Sequence, residues 1–130
     1  MTIKSYYNPD EDLFIHKAKG DLGVEEILQA LENFYLSQEK CNRVLWDGRE
    51  ATIRSVSQTD LQRIAIYPGK FNQSDRKATG KRAVVVASDL DFGLGRIIEI
   101  LKSQFSQHFQ HEVKVFRNYD QAIEWLRSDS

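Results

Sequence analysis

The sequence predicts a single α/β domain with a mixed, mostly parallel five-stranded sheet and about four helices. Segments with the two-residue alternation or the continuous apolar character of strands are separated by segments with the three- and four-residue spacing of helices. Strands that alternate with helices indicate a parallel sheet covered by helices. The 130 residues, of which 41% are hydrophobic, suffice for one folded core.

The first two strands are expected to form a hairpin that adds one antiparallel edge to the sheet. Residues 3–7 form the first predicted strand. The polar segment that follows contains Pro9, which favours a turn. Apolar side chains then occupy both faces of residues 13–18, as in a strand that is covered on two sides.

The next two predicted elements are a helix and a short buried strand. Gly20 and Gly23 end the second strand and precede the helix. Apolar residues with helical spacing follow, namely Val24, Ile27, Leu28, Leu31, Phe34 and Tyr35. Residues 44–46 are apolar and form the third strand, which Asp47 and Gly48 close.

The rest of the chain repeats the alternation of helix and strand. A second helix is predicted from Ser57, because Ser57 and Asp60 have the spacing of a capping box. Residues 82–87 and 113–116 form the last two strands. Between them, a third helix is indicated by Leu94, Ile97, Ile98, Leu101 and Phe105. Asn118 is suited to cap a fourth helix, so the predicted order is ββαβαβαβα.

Charge, cysteine content and the length of the apolar runs exclude several classes of protein. A formal net charge of −1 gives no field that would attract a nucleic acid. The single cysteine, Cys41, excludes an internal disulfide and a cysteine-based zinc cluster. The longest purely apolar run has five residues, whereas about 20 are needed to cross a bilayer. We expect a cytoplasmic protein with no membrane span, no nucleic-acid partner and no cofactor.

Several sequence phrases resemble a known family. They are residues 44–47, 82–87 and 92–96, together with 115–117 and 122–126 near the end of the chain. With the order of elements, these phrases make the chain resemble a SpoIIAA-like protein of the STAS superfamily, the sulphate-transporter and anti-sigma-factor-antagonist fold. The resemblance implies a SpoIIAA-like fold and a small cytoplasmic regulatory or protein-interaction module.

The resemblance also suggests a phosphorylation site. In bacterial anti-sigma-factor antagonists, a partner kinase phosphorylates a Ser or Thr at the start of the second helix. Ser57 occupies this place and Ser55 is a second candidate, whereas Gln58 stands where the family usually has Gly. A phosphate would add about −1.5 to −2 charges to a docking surface. The alternative is that Ser57 only caps the helix, which is worth about 1 kcal/mol.

A second candidate site lies at the rim where the parallel strands end, since open α/β sheets bind ligands there. The candidate residues are Asp47, Arg49, Asp89, Phe92, Gly93, Gly95 and Arg96. We expect residues 92–96 to open the third helix and to offer free backbone N–H groups and a cation to an anion. The alternative is that the two glycines allow close packing of the helix on the sheet and that Arg96 is solvated.

Three other features have simpler interpretations. His108 and His111 have a spacing that suits a metal, but a solvated helix end explains them as well. Asp89 and Asp91 form an acidic pair whose turn and capping roles suffice. One local basic cluster could hold a phosphate-bearing ligand or could be a solvated loop: Lys70, Arg76, Lys77, Lys81 and Arg82.

Three hypotheses about function remain. The first is a non-enzymatic regulatory or protein-interaction module whose partner binds around the second helix. The second is a binding protein for a small anionic or lipid-like ligand, which uses the helix N-termini at the strand rim. The third is an enzyme that uses Asp47 on that rim, although no nucleophile in a recognisable catalytic context supports it. The exposed hairpin edge permits a homodimer, which Lys4 and the charged turn oppose.

Overall fold

The structure is a computed structural model, which describes residues 2–36, 43–66, 79–104 and 110–128. Within these ranges the predicted order ββαβαβαβα is confirmed. The strands are β1 (Thr2–Asn8), β2 (Leu13–Asp21), β3 (Arg43–Thr52), β4 (Thr79–Val86) and β5 (Gln110–Phe116). The helices are α1 (Val24–Leu36), α2 (Gln58–Ile66), α3 (Asp89–Gln104) and α4 (Tyr119–Arg127).

The five strands form one mixed sheet in the order β1-β2-β3-β4-β5. β1 pairs with β2 antiparallel, as the predicted hairpin requires, and β2, β3, β4 and β5 pair in parallel. The register of the parallel pair β2–β3 shifts between Lys17 and Lys19, where β3 advances by three residues from Asp47 to Glu50, so the extra residue of this bulge lies on β3. The mostly parallel sheet that the sequence predicts is therefore confirmed.

The helices divide unequally between the two faces of the sheet. Successive crossovers move in one direction from β2 to β5, so crossovers of the same hand place α1, α2 and α3 together on one face. On that face, Ala18 and Leu22 pack with residues of α1 and α2 such as Ile27 and Leu61. On the opposite face, α4 packs Ala122 and Leu126 against the sheet. Two separate apolar layers result.

The end of β3 differs from the prediction. β3 does not end at Asp47 and Gly48 but continues to Thr52. Its polar continuation still has a partner strand, since Glu50 pairs with Lys19 and Thr52 with Asp21 of β2. The apolar run therefore marked only the buried half of this strand. Phe105 lies outside the described residues.

A buried histidine lies between the sheet and α1. His16 is fully buried, and its ring stacks on Trp46 with ring centroids 4.0 Å apart. Its Nδ1 is hydrogen-bonded to the Ser5 hydroxyl at 2.7 Å, while its Nε2 has no hydrogen-bond partner among the described residues. Burial, with a smaller contribution from the charge of Arg82, lowers the pKa of His16 to about 3. The ring is therefore neutral at pH 7.

Candidate functional site

Asp47 and Arg49 lie within β3 and not at the rim where the sequence placed them, and they are bonded to each other. Arg49 donates from Nε to Asp47 Oδ1 and from Nη2 to Oδ2, both at 2.9 Å. The guanidinium also lies 4.0 Å from the centroid of the Tyr119 ring at the start of α4. The hydrogen bond from Arg49 lowers the pKa of Asp47 despite its burial, and Asp47 raises the pKa of Arg49. The two side chains therefore satisfy each other, and Arg49 links β3 to α4 through Tyr119.

Asp89 is also paired, although it is exposed. Arg117 Nη1 donates a hydrogen bond to Asp89 Oδ1, and Arg117 Nη2 donates to the carbonyl oxygen of Ala87 at 3.2 Å. These bonds connect the end of β5 with the loop between β4 and α3. The geometry gives Asp89 a role in joining two loops of the rim.

The start of α3 corrects one prediction about the rim. α3 begins at Asp89, because Ser88 caps it: the backbone N–H of Asp91 donates to Ser88 Oγ at 3.1 Å. The backbone N–H of Phe92 already donates to the carbonyl of Ser88 at 2.9 Å. Residues 92–96 therefore lie inside the helix and offer no free N–H groups to an anion. The acidic first turn also disfavours an anion.

The two glycines of α3 have different surroundings. A Cβ at Gly95 would lie 2.6 Å from Cγ2 of Val115, so the glycine allows α3 to approach β5 closely. A Cβ at Gly93 would meet nothing within 4 Å. Arg96 is exposed and donates to Glu99 at 3.0 Å. The packing interpretation therefore holds at Gly95 and has no support at Gly93.

The two candidate serines lie on the surface before α2. Ser57 caps the helix: Asp60 N–H donates to Ser57 Oγ at 3.1 Å, and Ser57 N–H donates to Asp60 Oδ2 at 3.4 Å. The Ser55 hydroxyl donates to Asp21 Oδ2 at 2.8 Å. Both side chains are exposed. The capping box that the sequence predicts is present, and phosphorylation of either hydroxyl stays a prediction.

A cavity of about 120 Å³, which is partly open to solvent, lies between the sheet and the layer of helices α1–α3. Most of its lining is apolar, contributed in part by Leu22, Ile27, Leu31, Trp46, Ile53 and Ile98. Strands β2 to β5 and all three helices contribute residues. The polar side chains of the lining are those of Thr52, Arg82 and Asp91.

Asp91 forms part of the cavity wall at the carboxyl ends of the strands. Its side chain is 2% exposed, the lowest exposure of any acidic residue in the described part of the chain. Its Oδ1 accepts hydrogen bonds from the Thr52 hydroxyl at 3.0 Å and from the Ile53 N–H at 3.2 Å. The carboxylate thus ties the first turn of α3 to the end of β3.

Two members of the predicted basic cluster are buried parts of the fold. Lys81 Nζ donates to the carbonyl oxygens of Trp125 at 2.9 Å and Ser128 at 3.0 Å, which fixes the end of α4. Arg82 Cζ lies 5.5 Å from the centroid of the Phe34 ring. A solvated loop is therefore the wrong interpretation for these two residues. The other three members of the cluster lie outside the described residues.

Neither a metal-binding cluster nor a membrane-spanning helix occurs in the described ranges. Within them, no three His, Cys, Asp or Glu side chains are grouped so that they could hold a metal ion. None of the helices described there is both long and apolar enough to span a bilayer. Cys41 and His108 lie outside these ranges, as does the side chain of His111.

Comparisons with known proteins decide the fold. No protein-family model and no curated protein matches the chain. A solved structure does match: an uncharacterized protein from the DUF3478 family, with a SpoIIAA-like fold, from Shewanella loihica PV-4. The TM-score is 0.52 at 20% sequence identity, and the match covers 96% of this chain and 92% of that chain. The fold is SpoIIAA-like.

Sequence reasoning missed the feature of this SpoIIAA-like chain that is best suited to binding. The cavity needs residues from seven elements, and no local spacing in the sequence joins them. Asp91 was assigned to turn and capping roles, because its burial depends on the end of β3. A sequence signal did exist for the start of α3, since Ser88 precedes two acidic residues at capping and first-turn positions.

Proposed function

We propose that this SpoIIAA-like protein is a non-enzymatic module that binds a small, mainly apolar ligand between its sheet and helices α1–α3. The cavity of about 120 Å³ carries this proposal. Protein interiors are packed as densely as organic crystals and contain few voids larger than a water molecule. An apolar cavity of roughly 150 Å³ in another protein stays dry and binds benzene. The size and lining of this cavity support a ligand of that class.

The lining of the cavity supports the same proposal. An apolar ligand of matching shape gains dispersion contacts along the apolar lining. The cavity also reaches Thr52 and Asp91 beyond the strand ends, which is where open α/β sheets bind ligands.

The sequence suggested either an anionic or a lipid-like ligand, and the proposal favours the lipid-like one. The anionic ligand depended on free N–H groups at residues 92–96, and these groups lie inside α3. The first turn of α3 instead carries Asp89 and Asp91. At the end of the cavity where Asp91 lies, its carboxylate repels an anion.

A ligand titration with a filled variant tests the proposal. Toluene is expected to raise the melting temperature of the wild-type protein, because a ligand that binds only the native state stabilises it. Ala18 lines the cavity, so Ala18→Leu is expected to remove the shift. Ala30→Leu is the matched control, since Ala30 is equally buried but is not part of the lining. A wild-type protein that toluene does not stabilise, at any soluble concentration, would contradict the proposal.

A second candidate function is regulation by a protein partner that docks at the start of α2. The observation that favours it is the exposed Ser57 hydroxyl, which accepts the Asp60 N–H at the helix N-terminus. A phosphate there would interact favourably with the helix dipole but would lie beside the Asp60 carboxylate. Both effects change the surface around α2.

Intact-mass measurement of the protein from its own host tests this second function. A retained increment of one phosphate is expected, and it should disappear in Ser57→Ala and remain in Ser55→Ala. The Ser57→Ala variant is also expected to lose about 1 kcal/mol of stability from the lost cap. Unmodified protein under all growth conditions, with no partner that distinguishes Ser57→Asp from wild type, would contradict the docking function.

A further inference from the structure

Asp91 has hydrogen-bonding capacity that the described residues leave unused. An ionised carboxylate offers about four acceptor positions on its two oxygens. Oδ1 accepts from Thr52 and Ile53, whereas no described residue donates to Oδ2. Oδ2 is not among the fully buried atoms that lack a partner, so it is accessible, and Asp91 lines the cavity. An accessible acceptor on a residue of the cavity wall can receive a hydrogen bond from a ligand.

The position of Asp91 is also fixed. Its backbone N–H is held by Ser88, and its Oδ1 is held by two donors from the end of β3. Oδ2 is therefore presented in one orientation by groups that do not depend on a ligand. A site that is preorganised in this way loses little entropy when a donor binds.

We infer that the ligand of this cavity is a small apolar primary amine whose ammonium group binds Asp91 Oδ2. The inference rests on the proposed function, since it assigns a chemical class to the ligand of the same cavity. An ammonium group supplies both a donor and the opposite charge, and a hydrogen bond between charged groups is about twice as strong as a neutral one. The apolar body of the amine contacts Trp46, Ile27 and Ile98.

The other charged group of the lining is Arg82, which lies in the first half of β4, whereas Asp91 lies in the first turn of α3 after the end of β4. Arg82 is four residues before Val86 at the end of β4, which corresponds to roughly 13 Å of strand. Its guanidinium donates to the carbonyl oxygen of Lys81 and lies over the Phe34 ring. The charges of the lining therefore favour an ammonium group at the Asp91 end and disfavour it at the Arg82 end.

Three probes of similar shape test the inference: benzylamine, toluene and benzoate. In the wild-type protein, benzylamine is expected to bind at least tenfold more tightly than toluene by isothermal titration, and benzoate more weakly than both. Asp91→Asn keeps an acceptor oxygen for Thr52 and Ile53 but replaces the second oxygen by an NH₂ donor. This variant is expected to lose the tenfold preference and to bind toluene as before.

The matched control is Asp89→Asn, which changes an exposed carboxylate in the same helical turn and outside the lining. It is expected to leave the affinities for all three probes unchanged. If Asp91→Asn does not fold, intermolecular NOEs in the wild-type protein decide instead. The methylene protons of benzylamine are then expected near Asp91 and its ring protons near Trp46.

The possible results separate the inference from the proposed function. Toluene binding without a preference for benzylamine, or a preference that survives Asp91→Asn, would overturn the amine and leave the apolar site. Benzoate binding that is lost in Arg82→Gln would overturn the amine in favour of an anion at the other end. NOEs that place the methylene group away from Asp91 would also overturn it. No binding of any probe would overturn both proposals.

Discussion

The two faces of the sheet differ in how completely their polar side chains are hydrogen-bonded. On the face covered by α4, Asp47 and Arg49 satisfy each other and contact Tyr119. On the face covered by α1–α3, His16 Nε2 has no partner among the described residues, and Asp91 uses one of its two oxygens. The cavity lies on this second face. Polar groups that are fully paired indicate structural roles, whereas partly paired ones beside a cavity indicate a binding role.

The packing of the two layers shows the same difference. A single helix covers one face, and Ala122 and Leu126 bring it close to the sheet. Three helices cover the other face, and their side chains must meet one another as well as the sheet. α3 approaches β5 closely at Gly95, while the cavity remains over β3 and β4. Three helices on a twisted sheet are harder to pack without a void than one helix.

The largest expected effect concerns the buried histidine. Above pH 6.5, His16 is neutral in the native and unfolded states, so it adds no pH dependence. As the pH falls from 6.5 towards 3, the unfolded state binds a proton that the native state does not. Stability is therefore expected to fall by about 1.4 kcal/mol per pH unit, or roughly 4 kcal/mol across the window. Urea unfolding between pH 4.5 and 7 measures this slope.

A variant isolates the histidine from the other groups that titrate in acid. His16→Phe keeps an aromatic ring beside Trp46 and removes the titration, so its stability is expected to vary much less between pH 4.5 and 7. Asp47 contributes little in this window, because the unfolded-state carboxyl begins to bind a proton only below about pH 5, and the lowered native pKa extends its loss of stability from there to lower pH. If the unfolding free energy changed equally with pH in the variant and the wild type, His16 would not be the source of the pH dependence.

The next expected effect compares the two glycines of α3. Gly95→Ala places a Cβ against the Val115 side chain and is expected to cost about 1 to 3 kcal/mol through overpacking. Gly93→Ala meets no atom within 4 Å and is expected to stabilise the helix by about 1 kcal/mol. Thermal unfolding of both variants measures the difference. Equal effects would mean that α3 is not held closely against β5.

The sequence predicts the fold because apolar spacing records burial along each element. The residues that indicated α2, including Leu61 and Ile64, are buried in the structure. The same reasoning failed where polar residues continue a strand, as in residues 47–52 of β3. That segment is stabilised by its pairing with β2. The apolar pattern of one strand does not show which other strand pairs with it.

The candidate site was less predictable because its properties arise from tertiary contacts. Asp47 and Arg49 lie within β3 and Asp89 lies at the start of α3, and each of the two carboxylates has an arginine partner. Asp91, only two residues from Asp89, is buried by contacts with residues almost forty positions earlier. Capping chemistry could have placed the start of α3, whereas only the folded chain shows which acidic side chain borders a cavity.

The smallest expected effect concerns the paired face. Asp47→Asn removes the charge of an ion pair whose arginine is half exposed, so the expected loss of stability is about 1 kcal/mol. The change lies outside the lining of the apolar cavity, so toluene and benzylamine are expected to bind the variant as they bind the wild type. Calorimetric titration with both probes checks this, together with a urea unfolding curve. A large loss of either affinity would mean that the two faces are coupled through β3, whose successive side chains Trp46 and Asp47 point to opposite sides of the sheet. The Asp47–Arg49 pair would then be part of the binding function as well as of the structure.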